Sequence, residues 1–339
     1  MKIDPTVKLG LGLSVQHPPG DDQAERFREH VEQVRLARAV GFDSIWASQH
    51  YVSQPFSYFQ PIPTLARLAA EAEGLRLGTG VLLLPLHQPV AVAEELATLD
   101  VVSGGRLVFG AGLGYRDVEN LAMGLDPKTR VGRLEEGLEV IERLWTGEPV
   151  SYEGRHFRLK DVTLSMRPLQ RPRPPIWLAA NADAAVARAA RVADAWLMNP
   201  HATLATLERQ LTGFREARAA LGRPVGEIPL IRECCVAADR GAAVAGARPH
   251  LAPKYEAYQQ WEQDKALPAG ERFDLGFEAL ARDRFLLGDP SRLAEELARY
   301  RERLGVTTVI VRVQWPGMPQ AHVLRSIRLL GEGVLPRLA

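Results

Sequence analysis

The chain has 339 residues, 46% of them hydrophobic, and its 42 basic and 41 acidic side chains leave a net charge of +1. That length fits two average domains or one large barrel, and the balanced charge excludes a global field that would recruit nucleic acid or an anionic membrane surface. The opening Met1-Lys2-Ile3-Asp4-Pro5 lacks the basic-then-apolar order of a signal peptide, and no apolar run approaches the ~20 residues of a membrane span, so a soluble, cytoplasmic protein is expected.

Short apolar runs alternate with amphipathic stretches almost from end to end. Residues 7–15 (VKLGLGLSV) read as a first strand, broken by Gln16-His17-Pro18-Pro19-Gly20, and 24–40 carries apolar residues at helical spacing. Strand two is 42–47, followed by a helix over 64–73. Strand three is 75–84, and a helix opening on Pro89 runs to 102. The connector Ser103-Gly104-Gly105-Arg106 leads into strand four, 107–112, whose end is rich in glycine: Gly110, Gly112 and Gly114. A strongly amphipathic helix covers 133–145, and a proline- and glycine-punctuated hairpin lies between 149 and 175.

Strand five (176–180), a helix (182–192), strand six (195–198) and a helix (203–221) lead to strand seven, 228–237. Its adjacent Cys234 and Cys235 would point to opposite faces, which suits two core thiols better than a disulfide. Strand eight is 306–313, and 320–330 closes the chain as a helix. Eight repeated βα units predict parallel strands closed into an α/β (β/α)8 TIM barrel, a single domain over 1–339. The break in the pattern, 239–287, lies between strands seven and eight and carries Tyr255, Tyr258, Trp261, Phe273 and Phe277. It is expected to rise from the catalytic face as a lid or a partner-binding insertion.

Barrel enzymes place their chemistry where the strands end, at the C-terminal face. Four of the eight histidines, His17, His50, His87 and His201, fall there, and a neutral imidazole suits acid–base work or a hydrogen bond to a cofactor edge. No HxH or HExxH spacing supports a metal site. Asn181 ends strand five just before a helix beginning near Ala182, so the free amides there make either an anion site or a plain N-cap. Arg133 would reach the same anion or lie on the surface. Ser14, Gly80, Val81, Gly112 and Tyr115 lie at or just beyond the strand ends on the same face.

These residues together resemble the bacterial luciferase-like flavin- or F420-dependent oxidoreductases over nearly the whole chain. The resemblance rests on Phe42-Asp43-Ser44-Ile45-Trp46 leading to Ser48-Gln49-His50-Tyr51, on Leu77-Gly78-Thr79-Gly80-Val81, and on the block from Pro89 through Ser103-Gly104-Gly105-Arg106 to Gly114. Pro175-Ile176-Trp177-Leu178-Ala179-Ala180-Asn181 and Ala193-Asp194-Ala195-Trp196 extend it. It implies a TIM barrel with reduced FMN, or F420, across its mouth. A bulge at Gly80-Val81, often a cis peptide, would lie against the ring, with His50 near the reactive edge and Asn181 and Ala182 at the phosphate. The resemblance also makes Ser14, Gly112 and Tyr115 candidates for contact with the cofactor.

The implied activity is oxygenation of a small organic substrate by a monooxygenase using reduced FMN and O2, with a flavin reductase as partner and a homodimer as the assembly. F420-dependent hydride transfer and a non-catalytic flavin-binding role stay open. Ser48-Gln49-His50 in place of Glu-His-His, and Ala179-Ala180 in place of a glycine pair, leave FMN and F420 undivided.

Overall fold

The computed structural model describes residues 7–261, 263–268 and 270–338; the N-terminal Met1 to Pro5 read above lie outside them. Eight parallel strands close on themselves: β1 (Lys8–Gly12), β2 (Ser44–Ala47), β3 (Arg76–Thr79), β4 (Leu107–Gly112), β5 (Ile176–Ala180), β6 (Ala195–Met198), β7 (Pro229–Val236) and β8 (Thr308–Arg312). Closure comes from β8, whose Thr308 to Arg312 pair in register with Lys8 to Gly12 of β1. The predicted α/β TIM barrel is the observed fold. Its strands read as unbroken apolar runs because a parallel sheet is buried on both faces, inside the barrel and under the helices.

Helices α1 (Gln23–Ala39), α2 (Pro61–Leu68), α3 (Pro89–Val102), α4 (Asp117–Ala122), α5 (Arg130–Leu144), α6 (Asp183–Val192), α7 (Leu204–Ala220), α8 (Arg240–Gln260), α9 (Phe277–Ala281), α10 (Pro290–Leu304) and α11 (Gln320–Leu329) follow the strands. Asp22 caps α1 and Asp289 caps α10 by accepting two backbone N–H bonds each, and Pro290 stands at the first position of α10, where no amide is needed.

Two apolar cores result. The larger lies between strands and helices; the smaller fills the barrel with Trp46, Val108, Trp177, Ala195, Leu197, Ile231 and Ile310. Trp46 and Trp177 stack with centroids 4.8 Å apart, a pairing that adds about 1 kcal/mol beyond the area it buries. Gly78 makes room for them: a Cβ there would lie 2.1 Å from the Trp46 ring. Arg76 closes the opposite end of the barrel, its guanidinium over Trp177 and bonded to Asp43 and Glu227.

The Ser103-Gly104-Gly105-Arg106 connector has a structural role at that end. Both glycines adopt positive φ, and the Arg106 guanidinium donates to the carbonyls of Ala69, Ala72, Leu75 and Ser103, tying α2's exit to β4. Cys234 and Cys235 are free and buried.

The strands are shorter than their apolar runs. The first stops at Gly12, and Gln16–His17 instead pairs antiparallel with Ser57–Tyr58. The third stops at Thr79, where the cis Gly80–Val81 peptide breaks it before Leu82–Leu83 rejoins β4. β7 serves three partners: Leu230 pairs with Met198 of β6, Pro229 to Glu233 pair with β8, and Glu233 to Val236 pair with Phe285–Gly288. The segment expected to interrupt the barrel over 239–287 is therefore mostly α8, a 3-10 turn (Gln263–Ala266) and α9, and it returns to the sheet before α10.

His17 and His30 pack ring to ring beneath Phe59. Burial, with Arg26 nearby, pulls His17 down to about 4, and burial together with His17 pulls His30 to about 3. Both imidazoles therefore stay neutral in the native state while the unfolded chain takes up protons below the ordinary value of 6.5. The stability they allow is present above that pH and is lost on acidification toward the two native values. From pH 6.5 to about pH 5 the pair is expected to lower the unfolding free energy by about 3 kcal/mol. Urea unfolding at the two pH values checks this, and an unchanged midpoint would contradict it.

Candidate active site

The strand ends at the C-terminal face frame a cavity of about 300 Å³. Its base is glycine-rich backbone from β3 and β4. Gly80 and Val81 line it with their cis peptide, beside Gly112, where an added Cβ would meet Val81 at 2.4 Å. Ala179, Ala180, Leu197 and Ile231 form apolar walls from β5, β6 and β7. Tyr258 of α8 and Gln263 and Ala266 of the 3-10 turn belong to the lining, so the segment after β7 contributes to this cavity.

Several polar groups in this lining have no partner among the described residues. Asn199 spends its Oδ1 on the amides of His201 and Ala202, at 2.9 and 3.0 Å, which fixes the buried, unpartnered Nδ2 as a donor. Gln263 Nε2 donates to His201 Nε2 at 3.0 Å, leaving Gln263 Oε1 a buried, unpartnered acceptor. The Tyr115 hydroxyl is also buried without a partner, and burial pushes it far above the usual phenol range, so it remains a neutral donor. Native proteins rarely leave such groups unmet. An apolar slot with a glycine-rich floor and Asn199, Gln263 and Tyr115 among its lining residues suits a flat heteroaromatic ring bearing carbonyl and N–H edges, which is the chemistry of a flavin or deazaflavin.

Of the residues singled out in the sequence, Gly80, Val81, Gly112, Tyr115, Asn181 and Ala182 all line this cavity. Ala182 is the N-cap of α6 and makes no side-chain cap bond, so the first amides of that helix have no partner within it. Ser14 lines a separate small cavity of about 40 Å³ with Ser48, Tyr58, Lys254 and Arg312. Arg133 is placed elsewhere: its guanidinium donates to the carbonyls of Pro85 and His87, at 2.7 and 3.2 Å, and lies over Phe157. Helix α5 begins three residues earlier than predicted, at Arg130, and Arg133 faces the loop of Pro85 and His87.

His50 is not among the residues that line the cavity; it packs edge-on against Tyr115 and Tyr58, with ring centroids 5.8 and 5.4 Å away. Its Nδ1 lies 2.9 Å from Oε1 of Glu119, which also accepts the Tyr51 amide at 2.9 Å. Glu119, on the short α4, is fully buried, with Arg116 at 3.6 Å. A carboxylate only accepts, so it holds the proton on Nδ1 and leaves Nε2 as the basic nitrogen.

Of the other three mouth histidines, His201 alone lines the cavity, while burial and the cations around it hold it neutral. His87 donates from Nε2 to Gln49 Oε1, and His17 belongs to the cluster under Phe59. Gln49 is a buried tie, accepting also from the Leu83 amide. Among the described residues no three His, Cys, Asp or Glu side chains are grouped to hold a metal ion, and no helix is long and apolar enough to cross a membrane.

The family profile described as luciferase-like monooxygenase matches residues 7–308. An F420-dependent glucose-6-phosphate dehydrogenase of Microbacterium testaceum is 31% identical over 324 residues, 89% of this chain and 91% of that protein. The oxygenase component of flavin-dependent trigonelline monooxygenase of Acinetobacter baylyi is 32% identical over 160 residues, 47% of this chain and 44% of that one. Among solved structures, monooxygenase RslO1 from Streptomyces bottropensis superposes with a TM-score of 0.86 at 27% identity, covering 98% of this chain and 100% of that one.

Proposed function

We propose that this chain, which belongs to the luciferase-like monooxygenase family, is a flavin-dependent monooxygenase that uses reduced FMN and O2 to oxygenate a small organic substrate. The observation that carries the reading is the slot itself, apolar on its walls, floored by the cis Gly80–Val81 peptide and Gly112, and with Asn199, Gln263 and Tyr115 in its lining. The near full-length likeness to a streptomycete monooxygenase supports the oxygenating branch of the family.

In this reading Asn199, Gln263 and Tyr115 hold the ring edges, and the α6 amides beyond Asn181 and Ala182 hold the phosphate. Reduced FMN, when bound, supplies the electrons that activate dioxygen. The chain's own part is binding, orientation, dryness and proton control. Glu119 keeps the His50 proton on Nδ1, so Nε2 takes or returns a proton at the edge of the site. Tyr258, Gln263 and Ala266 act as the lid that keeps water out. A separate flavin reductase supplies the reduced cofactor, and the working assembly is a homodimer.

A second reading is favoured by the dehydrogenase likeness, which spans about nine-tenths of both chains: F420 in the same slot, hydride transfer, and His50 as acid–base toward the substrate. Anaerobic fluorescence titration of the purified protein with reduced FMN and with reduced F420 separates the two. Tight binding of reduced FMN without F420 is expected; a clear preference for F420 would overturn the monooxygenase reading, and binding of neither would remove both.

A further inference from the structure

Arg312 ends β8, and its guanidinium lines both the main cavity and the smaller one beside Ser14. It forms no hydrogen bond among the described residues, and its one ion pair there, to Glu233 Oε1, is long at 3.7 Å. Glu233 is already committed: its two oxygens accept 2.6 Å bonds from Lys254 Nζ and Trp315 Nε1.

Among the described residues the charges on this side of the barrel do not cancel. Arg284 is matched by Glu271 and Lys254 by Glu233. Arg232, fully buried, donates only to the carbonyls of Ile231, Asn199 and Ala202 and to the Tyr300 hydroxyl. Among the described residues Arg232 and Arg312 are therefore two cations in excess. Burial and the nearby Arg312 outweigh Glu233 and pull Lys254 down to about 8. Uncompensated cations in a low-dielectric site favour an arriving anion, and a guanidinium with open donors is shaped for an oxyanion.

We propose that Arg312 receives an anionic group of the substrate, so that the substrate class is an organic acid: a carboxylate or similar oxyanion on an apolar body. This rests on the cofactor reading above, which places the FMN phosphate at α6. Two strands, β6 and β7, separate the end of β5, where α6 begins, from the end of β8, where Arg312 stands. The cofactor phosphate and a substrate carboxylate are the same chemistry from two sources, and the test separates them.

Calorimetric titration of the FMN-loaded protein with benzoate and with its neutral analogue benzamide is carried out on wild type, Arg312→Gln and Arg312→Lys. Wild type is expected to prefer benzoate at least about tenfold, Arg312→Gln to lose the preference, and Arg312→Lys to keep part of it. The same preference in Arg312→Gln, or no saturable benzoate binding to wild type, would overturn the proposal. So would a selective loss of FMN over riboflavin affinity in Arg312→Gln, since that assigns the residue to the cofactor phosphate. Failure of the cofactor reading shows earlier, at the FMN-loading step; the benzoate-to-benzamide ratio is then measured on F420-loaded or cofactor-free protein and is judged in the same way.

Discussion

His50→Ala is expected to lower kcat by about 10² to 10⁴ while reduced FMN still binds within about threefold of wild type, the range that removal of a positioned acid–base group produces. The side chain contacts Tyr58, Tyr115 and Glu119 instead of lining the slot, so its loss leaves the residues that edge the ring in place. Added imidazole should restore part of the rate, because the vacated space beside Glu119 accepts a ring of the same shape. Glu119→Gln tests the positioning. Glutamine keeps one oxygen to accept from Nδ1 and from the Tyr51 amide but removes the charge, so a smaller fall of about tenfold in kcat, with KM unchanged, is expected. Unchanged turnover in His50→Ala under steady-state assay would remove the histidine from the mechanism.

Gly110→Ala is expected to cost more than about 3 kcal/mol of stability, a melting-point loss of about 5 to 10 °C or failure to fold. An alanine Cβ at this position would stand 1.8 Å from the carbonyl oxygen of Thr79. Both atoms belong to neighbouring barrel strands, so no rotamer change relieves the clash. The same residues are cross-linked by the Thr79 hydroxyl, which donates to the Gly110 carbonyl at 2.7 Å and accepts from its amide at 2.9 Å. Gly213→Ala is the control: it lies exposed in α7 with nothing near its added methyl, and should raise stability by about 0.5 to 1 kcal/mol. A soluble Gly110→Ala protein melting with wild type would mean that β3 and β4 stand further apart there than described.

All eight barrel strands were legible because each is a continuous apolar run between turn residues, a pattern that needs no knowledge of partners. Their ends were less so. Apolarity continues past Gly12 and Thr79 even though the backbone leaves the barrel there. α8 escaped the sequence reading because Pro249 and Pro253 lie inside it and its apolar residues do not form one clean stripe.

At the site, the glycines and the helix start that the sequence singled out fall in the cavity lining, since backbone exposure is a local property. Glu119 did not announce itself: α4 has six residues, too few for periodicity, and the pairing with His50 spans 69 positions. Arg312 did leave a signal, a lone charge within the apolar run Val309 to Val313, which only a buried partner or a ligand justifies. Asn199 and Gln263 become informative only once hydrogen-bond accounting shows one atom of each unmet.

The pairing of β7 with both the barrel and the segment that follows it bears on how the cavity could be altered. Its first half is bound to the barrel, while its second half carries Phe285–Gly288, the return of the covering segment, as a strand of the same sheet. Floor and ceiling of the cavity are thus separately editable along one strand. Insertions or recombination between Asp239 and Arg284 would recast the ceiling while the barrel keeps its register. Glu233 is paired on both sides of that seam, with Phe285 and with Arg312.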